Sequence, residues 1–229
     1  PRGSSSLLLG TIDEVIDRVG TRIFFLVIEL HHGDLPDNVE FGECVAIDTE
    51  TQGLNSLRDR LCVVQLSGGD GVCHLLHFPT PEYDAPNLRR LIDDISVLKL
   101  FHFARFDIAA LNHYLGTDCR PVYCTKIASR LTRTYTDRHG LRELCREFLG
   151  VDLSKEQQSS DWAAPELTEA QMEYAAADVL YLHRLKDALD GRLAREGRTA
   201  FAQAAFDFLP TRAAMDIAGF EPEDIFAHS

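Results

Sequence analysis

At 229 residues, 45% of them hydrophobic, the chain is long enough for one substantial domain with a real core, or for two small ones. Its 23 lysines and arginines face 36 aspartates and glutamates, a formal net charge of −13. That balance excludes long-range electrostatic capture of extended DNA or RNA, which needs a broad basic surface; short oligonucleotides and metal-bridged phosphates remain open to it.

Pro1-Arg2-Gly3-Ser4 reads as the remnant of a cleaved expression tag, and residues 1–20 as an extension of no assigned role. The apolar run at 23–28, flanked by Arg22 and Glu29, is far too short to cross a bilayer and reads as a strand, so no membrane association is expected. Segments 45–48, 61–66 and 72–78 carry β-branched or aromatic residues between turn formers and predict a three-stranded antiparallel meander. Gly68-Gly69-Asp70-Gly71 supplies a hairpin turn. Pro86 opens a helix to 94, 97–103 returns as a strand, and 104–115 forms a helix stopped by Gly116. Strand-helix alternation after a meander predicts an α/β fold, a mixed central sheet with helices on its faces.

Lys126, Arg130 and Arg133, then Arg138, Arg142 and Arg146, recur at spacings of one helical turn. They form either a solvated face or a basic stripe for phosphate or for an acidic face of another subunit. Thr168 with Gln171 predicts a capping box opening one long final helix that continues through Ala188 or beyond. The six cysteines sit mostly in apolar runs without Cys-x-x-Cys pairing and read as buried free thiols of a reducing cytosol. A zinc site using His74 or His77 stays open, although no pair of ligands has the usual zinc spacing.

Three places hold acids at element edges. Asp48 and Glu50 end an apolar strand, and side chains two apart on a strand point the same way. Asp107 lies in the first turn of its helix, where it serves the helix dipole or faces a cation. Tyr174 and Asp178 lie one turn apart on one helical face, with Ala175, Ala176 and Ala177 between them small enough for close packing on the sheet.

Asp48-Thr49-Glu50, His102-Phe103-Ala104-Arg105-Phe106-Asp107 and Tyr174-Ala175-Ala176-Ala177-Asp178 match, in identity and order, the three motifs of the DEDD exonuclease superfamily, tyrosine-containing branch. Across residues 40 to 190 the chain resembles ribonuclease D and is most similar to the single-domain nanoRNase C group. The stretches 59–66, 132–141, 157–162 and 224–229 carry that closer likeness. The resemblance implies a ribonuclease H-like exonuclease fold at 21–196, with a C-terminal helix and tail at 197–229 packing on the domain or a neighbouring subunit. About thirty residues after the long helix leave no room for the helical nucleic-acid-binding domains of full-length ribonuclease D.

Four converging carboxylates repel unless divalent cations neutralise them, and oxygen-only ligands favour Mg²⁺ or Mn²⁺ over zinc. Two ions about 3.5 to 4 Å apart can stabilise an attacking hydroxide and a leaving 3′ oxygen. By resemblance Asp48 bridges both ions, Glu50 and Asp178 complete one site, Asp107 holds the second ion, and Tyr174 orients the nucleophilic water. Substrate contacts are implied at Thr51, Leu54, His102 and Phe106, with Leu54 wedged between two terminal bases if it is not simply core. Arg138, His139, Lys155 and Gln158 are implied holders of a 5′ phosphate. The expected protein is a cytoplasmic, metal-dependent 3′-5′ exoribonuclease of very short single-stranded RNA or dinucleotides, assembled as a homo-oligomer, an octameric ring. The alternatives are a ribonuclease D-like trimming enzyme and a catalytically silent scaffold.

Overall fold

The computed structural model describes residues 27–228 apart from 155 and 158. Among them six strands, β1 (Val27–His32), β2 (Cys44–Thr51), β3 (Leu61–Ser67), β4 (Val72–His77), β5 (Leu98–Phe101) and β6 (Val122–Cys124), form one sheet in the order β1-β4-β3-β2-β5-β6. The expected meander is β2-β3-β4, antiparallel throughout. Parallel strands extend it on both sides, β1 beside β4 on one and β5 beside β2, then β6 beside β5, on the other. Every residue of β3 is buried, as befits a central strand covered on both faces, and each fully buried leucine there contributes roughly 1.5–3 kcal/mol. The turn into β4 uses Gly69 and Gly71 at φ 84° and 90°, a region open to glycine at little cost. The strand read at 23–28 enters the described residues only at its end, and 1–26 lie outside them.

The helices α1 (Pro86–Asp93) and α2 (Ala104–Leu115) form where expected, with proline in the first turn of α1 and left-handed Gly116 closing α2. Helix α3 (Thr125–Thr132) is followed by α4 (Leu141–Leu144), which runs into a π turn at Cys145–Leu149. The final helix differs from its reading. It is two helices, α5 (Glu169–Leu180) and α6 (Leu182–Arg195), with Tyr181 at the junction. The apolar period carries across the junction, so it does not reveal the break. Helix α7 (Thr199–Met215) then packs along α2 and β6, where Phe206 meets Tyr123 at 4.5 Å between ring centres.

The basic stripe does not survive folding as one free face. Arg133 is 3% exposed, and its guanidinium forks onto Glu147 at 2.6 and 3.1 Å. Arg142 pairs with Asp152 at 2.8 Å, and Lys126 lies 4.2 Å over the Phe103 ring. Helix α3 stops at Thr132, so spacing across the break no longer defines a common face. All six cysteines are free thiols, five of them buried. No helix among the described residues is long and apolar enough to cross a membrane.

Candidate active site

Strand β2 outruns its parallel neighbour. It pairs with β5 only from Cys44 to Ala46, while Asp48 to Thr51 continue beside β3 alone. Alternation along the strand sends Asp48 and Glu50 to one face and Thr49 to the other. A register shift after Glu50 pairs Thr51 with Leu61 instead of Cys62, a bulge that bends the chain at the site.

Helix α5 supplies the carboxylate on the first face. Its capping box is formed, with Gln171 N–H donating to Thr168 Oγ1 and Thr168 N–H donating to Gln171 Oε1. Buried Ala175 and Ala176 let the helix lie close across β2, β3 and β4. Carboxylate oxygens of Asp48, Glu50 and Asp178 thereby come within 4.8 Å of one another. Helix α2 approaches from the Thr49 side. Phe103, the only non-glycine residue at positive φ among those described (72°), turns the chain sharply from β5 into α2. Such a conformation costs of order 1–3 kcal/mol and persists where surrounding contacts hold it. It delivers buried Asp107 to Thr49, whose Oγ1 donates to Asp107 Oδ1 at 2.7 Å.

Among the described residues no lysine or arginine forms an ion pair with any of these four acids. Burial, followed by repulsion from Asp107, Asp178 and Glu50, drives Asp48 well above the carboxylate range. Burial and then repulsion from Asp178 and Asp107 push Glu50 up to about 9. Burial raises Asp178 and Asp107 to about 7, the latter against the Thr49 hydrogen bond. Oxygen donors this crowded and this short of compensating charge have the chemistry of a divalent-cation site.

The three carboxylates open on a cleft of about 690 Å³, and Thr51, Leu54, His102, Phe106 and Tyr174 also line it. His102 is a neutral imidazole, lowered to about 3 by burial and then by Lys126, with Nδ1 2.8 Å from Thr125 Oγ1; it offers a hydrogen bond, not a charge. Leu54 is 90% exposed, which disposes of its reading as core. Its loop is held without it, since Asp59 accepts from Asn55 N–H and a side chain on Gly53 would collide with the Asp59 carboxylate. Arg138 is exposed and His139 turns Nδ1 to Ser129 Oγ at 2.9 Å; neither lines the cleft. Lys155 and Gln158 lie outside the described residues.

Several neighbours escaped the sequence reading, Gln52, Glu143 and Ser160 along the cleft among them, and two stand out. Trp162 lines the cleft with its ring 6.0 Å from Tyr174. Gln65 is the register partner of Asp48, fully buried, and neither amide atom has a partner among the described residues. A lone polar residue inside the apolar run 61–66 is the signal that marks it.

A mixed sheet whose central strand ends in two acids, joined by one acid from a helix on each face, defines a metal-dependent nuclease-type site. The family model for 3′-5′ exonuclease domains matches residues 34–194. NrnC of Brucella melitensis, in a structure bound to pGG, is 57% identical and superposes with a TM-score of 0.86, covering 89% of this chain and 100% of that one. A structure of the same protein with bound Mg²⁺ has a TM-score of 0.85 at 57% identity and covers 88% and 99%. Ribonuclease D of Granulibacter bethesdensis is 35% identical over 157 residues, 69% of this chain. The match spans 39% of that relative's length. The chain belongs to the 3′-5′ exonuclease family, in its ribonuclease D-like, NrnC-related branch.

Proposed function

We propose that the protein is a divalent-metal-dependent 3′-5′ exoribonuclease that degrades very short RNA, dinucleotides included, to mononucleotides. The observation that carries the reading is the Asp48-Glu50-Asp178 cluster, its oxygens within 4.8 Å and without a basic partner among the described residues, at the floor of the cleft.

The donor set fits Mg²⁺ or Mn²⁺, because oxygen-only ligands suit hard cations. Asp48, Glu50 and Asp178 would hold the metal directly, and Asp107, fixed by Thr49, would serve a second position. A bound pair of ions supplies Lewis-acid activation of water and charge relief at the leaving 3′ oxygen. The remaining tasks fall to the chain. Tyr174, a neutral phenol one turn from Asp178, orients the attacking water by hydrogen bonding. Leu54, exposed at the cleft wall, packs against a terminal base, and the neutral His102 hydrogen-bonds the substrate.

The short-substrate reading rests on scale and charge. A cleft of about 690 Å³ is the size of a small-ligand site, and a chain of net charge −13 gains no affinity from tracking many phosphates. The pGG complex of Brucella melitensis NrnC points the same way. A ring-like homo-oligomer acting in the cytoplasm completes the proposal and rests on the family resemblance.

The test is a time course on 5′-labelled RNAs of graded length with Mg²⁺ or Mn²⁺. Dinucleotides should turn over fastest. Preference for the longest RNAs would instead mark a ribonuclease D-like trimming enzyme, and hydrolysis of none a scaffold.

A further inference from the structure

On the opposite face of the sheet from Asp48 and Glu50 lies a second group of ligand-type side chains. Glu29 and His31 are two apart on β1, and the parallel register sets Glu29 beside His74 of β4, so all three share one face. Following the register across β3 puts His74 beside Leu66, whereas Asp48 pairs with Gln65, one residue on and facing the other way. The sheet therefore separates this trio from the carboxylate cleft.

Three atoms converge. His31 Nε2 lies 3.1 Å from His74 Nδ1, His74 Nδ1 lies 3.3 Å from Glu29 Oε2, and His31 Nε2 lies 3.8 Å from the same oxygen. Tetrahedral zinc with bonds near 2.0–2.2 Å sets its ligand atoms about 3.3–3.6 Å apart; the observed edges of 3.1, 3.3 and 3.8 Å bracket that range, so shifts of a few tenths of an ångström make the triangle one face of such a centre. Protons alone satisfy it poorly. One proton, on either nitrogen, leaves two lone pairs facing along another edge, and a proton on each nitrogen sets two donors against each other across 3.1 Å. A cation satisfies all three.

The surroundings prepare the ligands. Both imidazoles are buried, and burial lowers both, so each presents a neutral nitrogen as a metal requires. Their rings stack at 5.3 Å, and Phe41 packs edge-on against His74 at 5.4 Å, which fixes their orientation by packing. Glu29 is about one-third exposed and leaves a path to solvent for the ion and a fourth ligand.

We propose that Glu29, His31 and His74 form a transition-metal site, selective for Zn²⁺ over Mg²⁺, that ties β1 to β4 through side chains. Two imidazoles and one carboxylate are borderline-soft donors, suited to Zn²⁺ or Co²⁺ and ill suited to the all-oxygen octahedron of Mg²⁺. Strand β1 pairs with β4 alone among the described strands, so it gains most from such a tie.

The test uses the full chain, stripped of metal and then saturated with Mg²⁺ to fill the carboxylate cleft, titrated with Co²⁺. One equivalent should give the intense visible band of four-coordinate cobalt; Zn²⁺ should displace it and raise the Tm. Glu29→Gln and His74→Gln should each lose the band, while Asp48→Asn keeps it. Absence of the band in the parent protein overturns the proposal, as does its survival in either Glu29→Gln or His74→Gln. Loss of the band in Asp48→Asn also overturns it, by placing the cobalt in the other cluster. Glu29 is exposed enough for its variant to fold even where His74→Gln does not.

Discussion

Thr49 Oγ1 donates a 2.7 Å hydrogen bond to Asp107 Oδ1, tying the residue between the two strand acids to the acid that arrives on α2. The bond crosses from β2 to a helix 58 residues later in the chain. Asp48 and Glu50 thus face the cleft while the residue between them aims the fourth carboxylate from behind. The middle position of the first motif has its own work.

Replacing that hydroxyl by a methyl group, Thr49→Val, should lower dinucleotide kcat/KM or Mg²⁺ affinity by about 10–100-fold, the usual effect of losing a partner that orients a metal ligand. The fold should lose about 1–3 kcal/mol, the cost of leaving a buried acceptor without its donor. Thr49→Ser should restore most of the activity. Mg²⁺ titrations of the three proteins, with thermal melts alongside, make the check; equal Mg²⁺ affinity and turnover in Thr49→Val would remove the aiming role.

The crowded acids predict an inverted pH dependence for the metal-free protein. Free carboxyls titrate near about 4. In the folded chain burial above all pushes Asp107 and Asp178 up to about 7 and Glu50 up to about 9. Between those limits the folded state holds more protons than the unfolded one, so the contribution of these groups to stability falls as pH rises. Cations relieve the repulsion that appears over the same range. The Mg²⁺-induced gain in Tm, measured against chelator, should therefore grow steadily from about pH 5 to about pH 9. An increment that does not change with pH would contradict this account.

What the sequence disclosed was set by local rules. The Thr168-Gln171 capping box, the Gly116 stop and the alternation that puts Asp48 and Glu50 on one face each depend on residues within a few positions of one another. What it hid depends on distant partners. Phe103 carries no turn chemistry, yet its left-handed backbone aims Asp107. Arg133 reads as part of a solvated stripe until Glu147 folds back to meet it. Gln65 gains meaning only from the register that sets it beside Asp48. The Glu29-His31-His74 group needs the parallel pairing of β1 with β4, which spacing along the chain cannot reveal.

Tyr174→Phe separates the phenol from its ring. The ring keeps its packing beside Trp162, so the Tm should hardly move. Hydrolysis should fall by about 10²-fold or more, in the range for losing a group that handles the proton or the water. Burial, then Asp178, Glu50 and Asp48, hold the hydroxyl above its ordinary pKa, so it stays neutral at working pH. The alkaline limb of the pH-rate profile should accordingly keep its shape in the variant. Disappearance of that limb would make Tyr174 the base instead of the guide.

Leu54 is the sharpest probe of substrate length. At 90% exposure it contributes little to the folded chain, and its loop stands on Asp59, Asn55 and Gly53. Leu54→Ala should therefore leave the stability within the roughly ±0.5 kcal/mol typical of surface changes, and the Tm nearly unmoved. Covering a leucine with a base gains roughly 1.5–3 kcal/mol, so its truncation should weaken dinucleotide binding by on the order of tenfold or more. A longer RNA cannot seat both of its ends in a cleft of this size, so Leu54 holds less of it and its affinity should fall by a smaller factor. Calorimetric titration of the chelated protein with a dinucleotide and with a longer RNA compares the two losses directly. A uniform loss would make Leu54 a general stacking surface, and no loss at all would take it out of the substrate site.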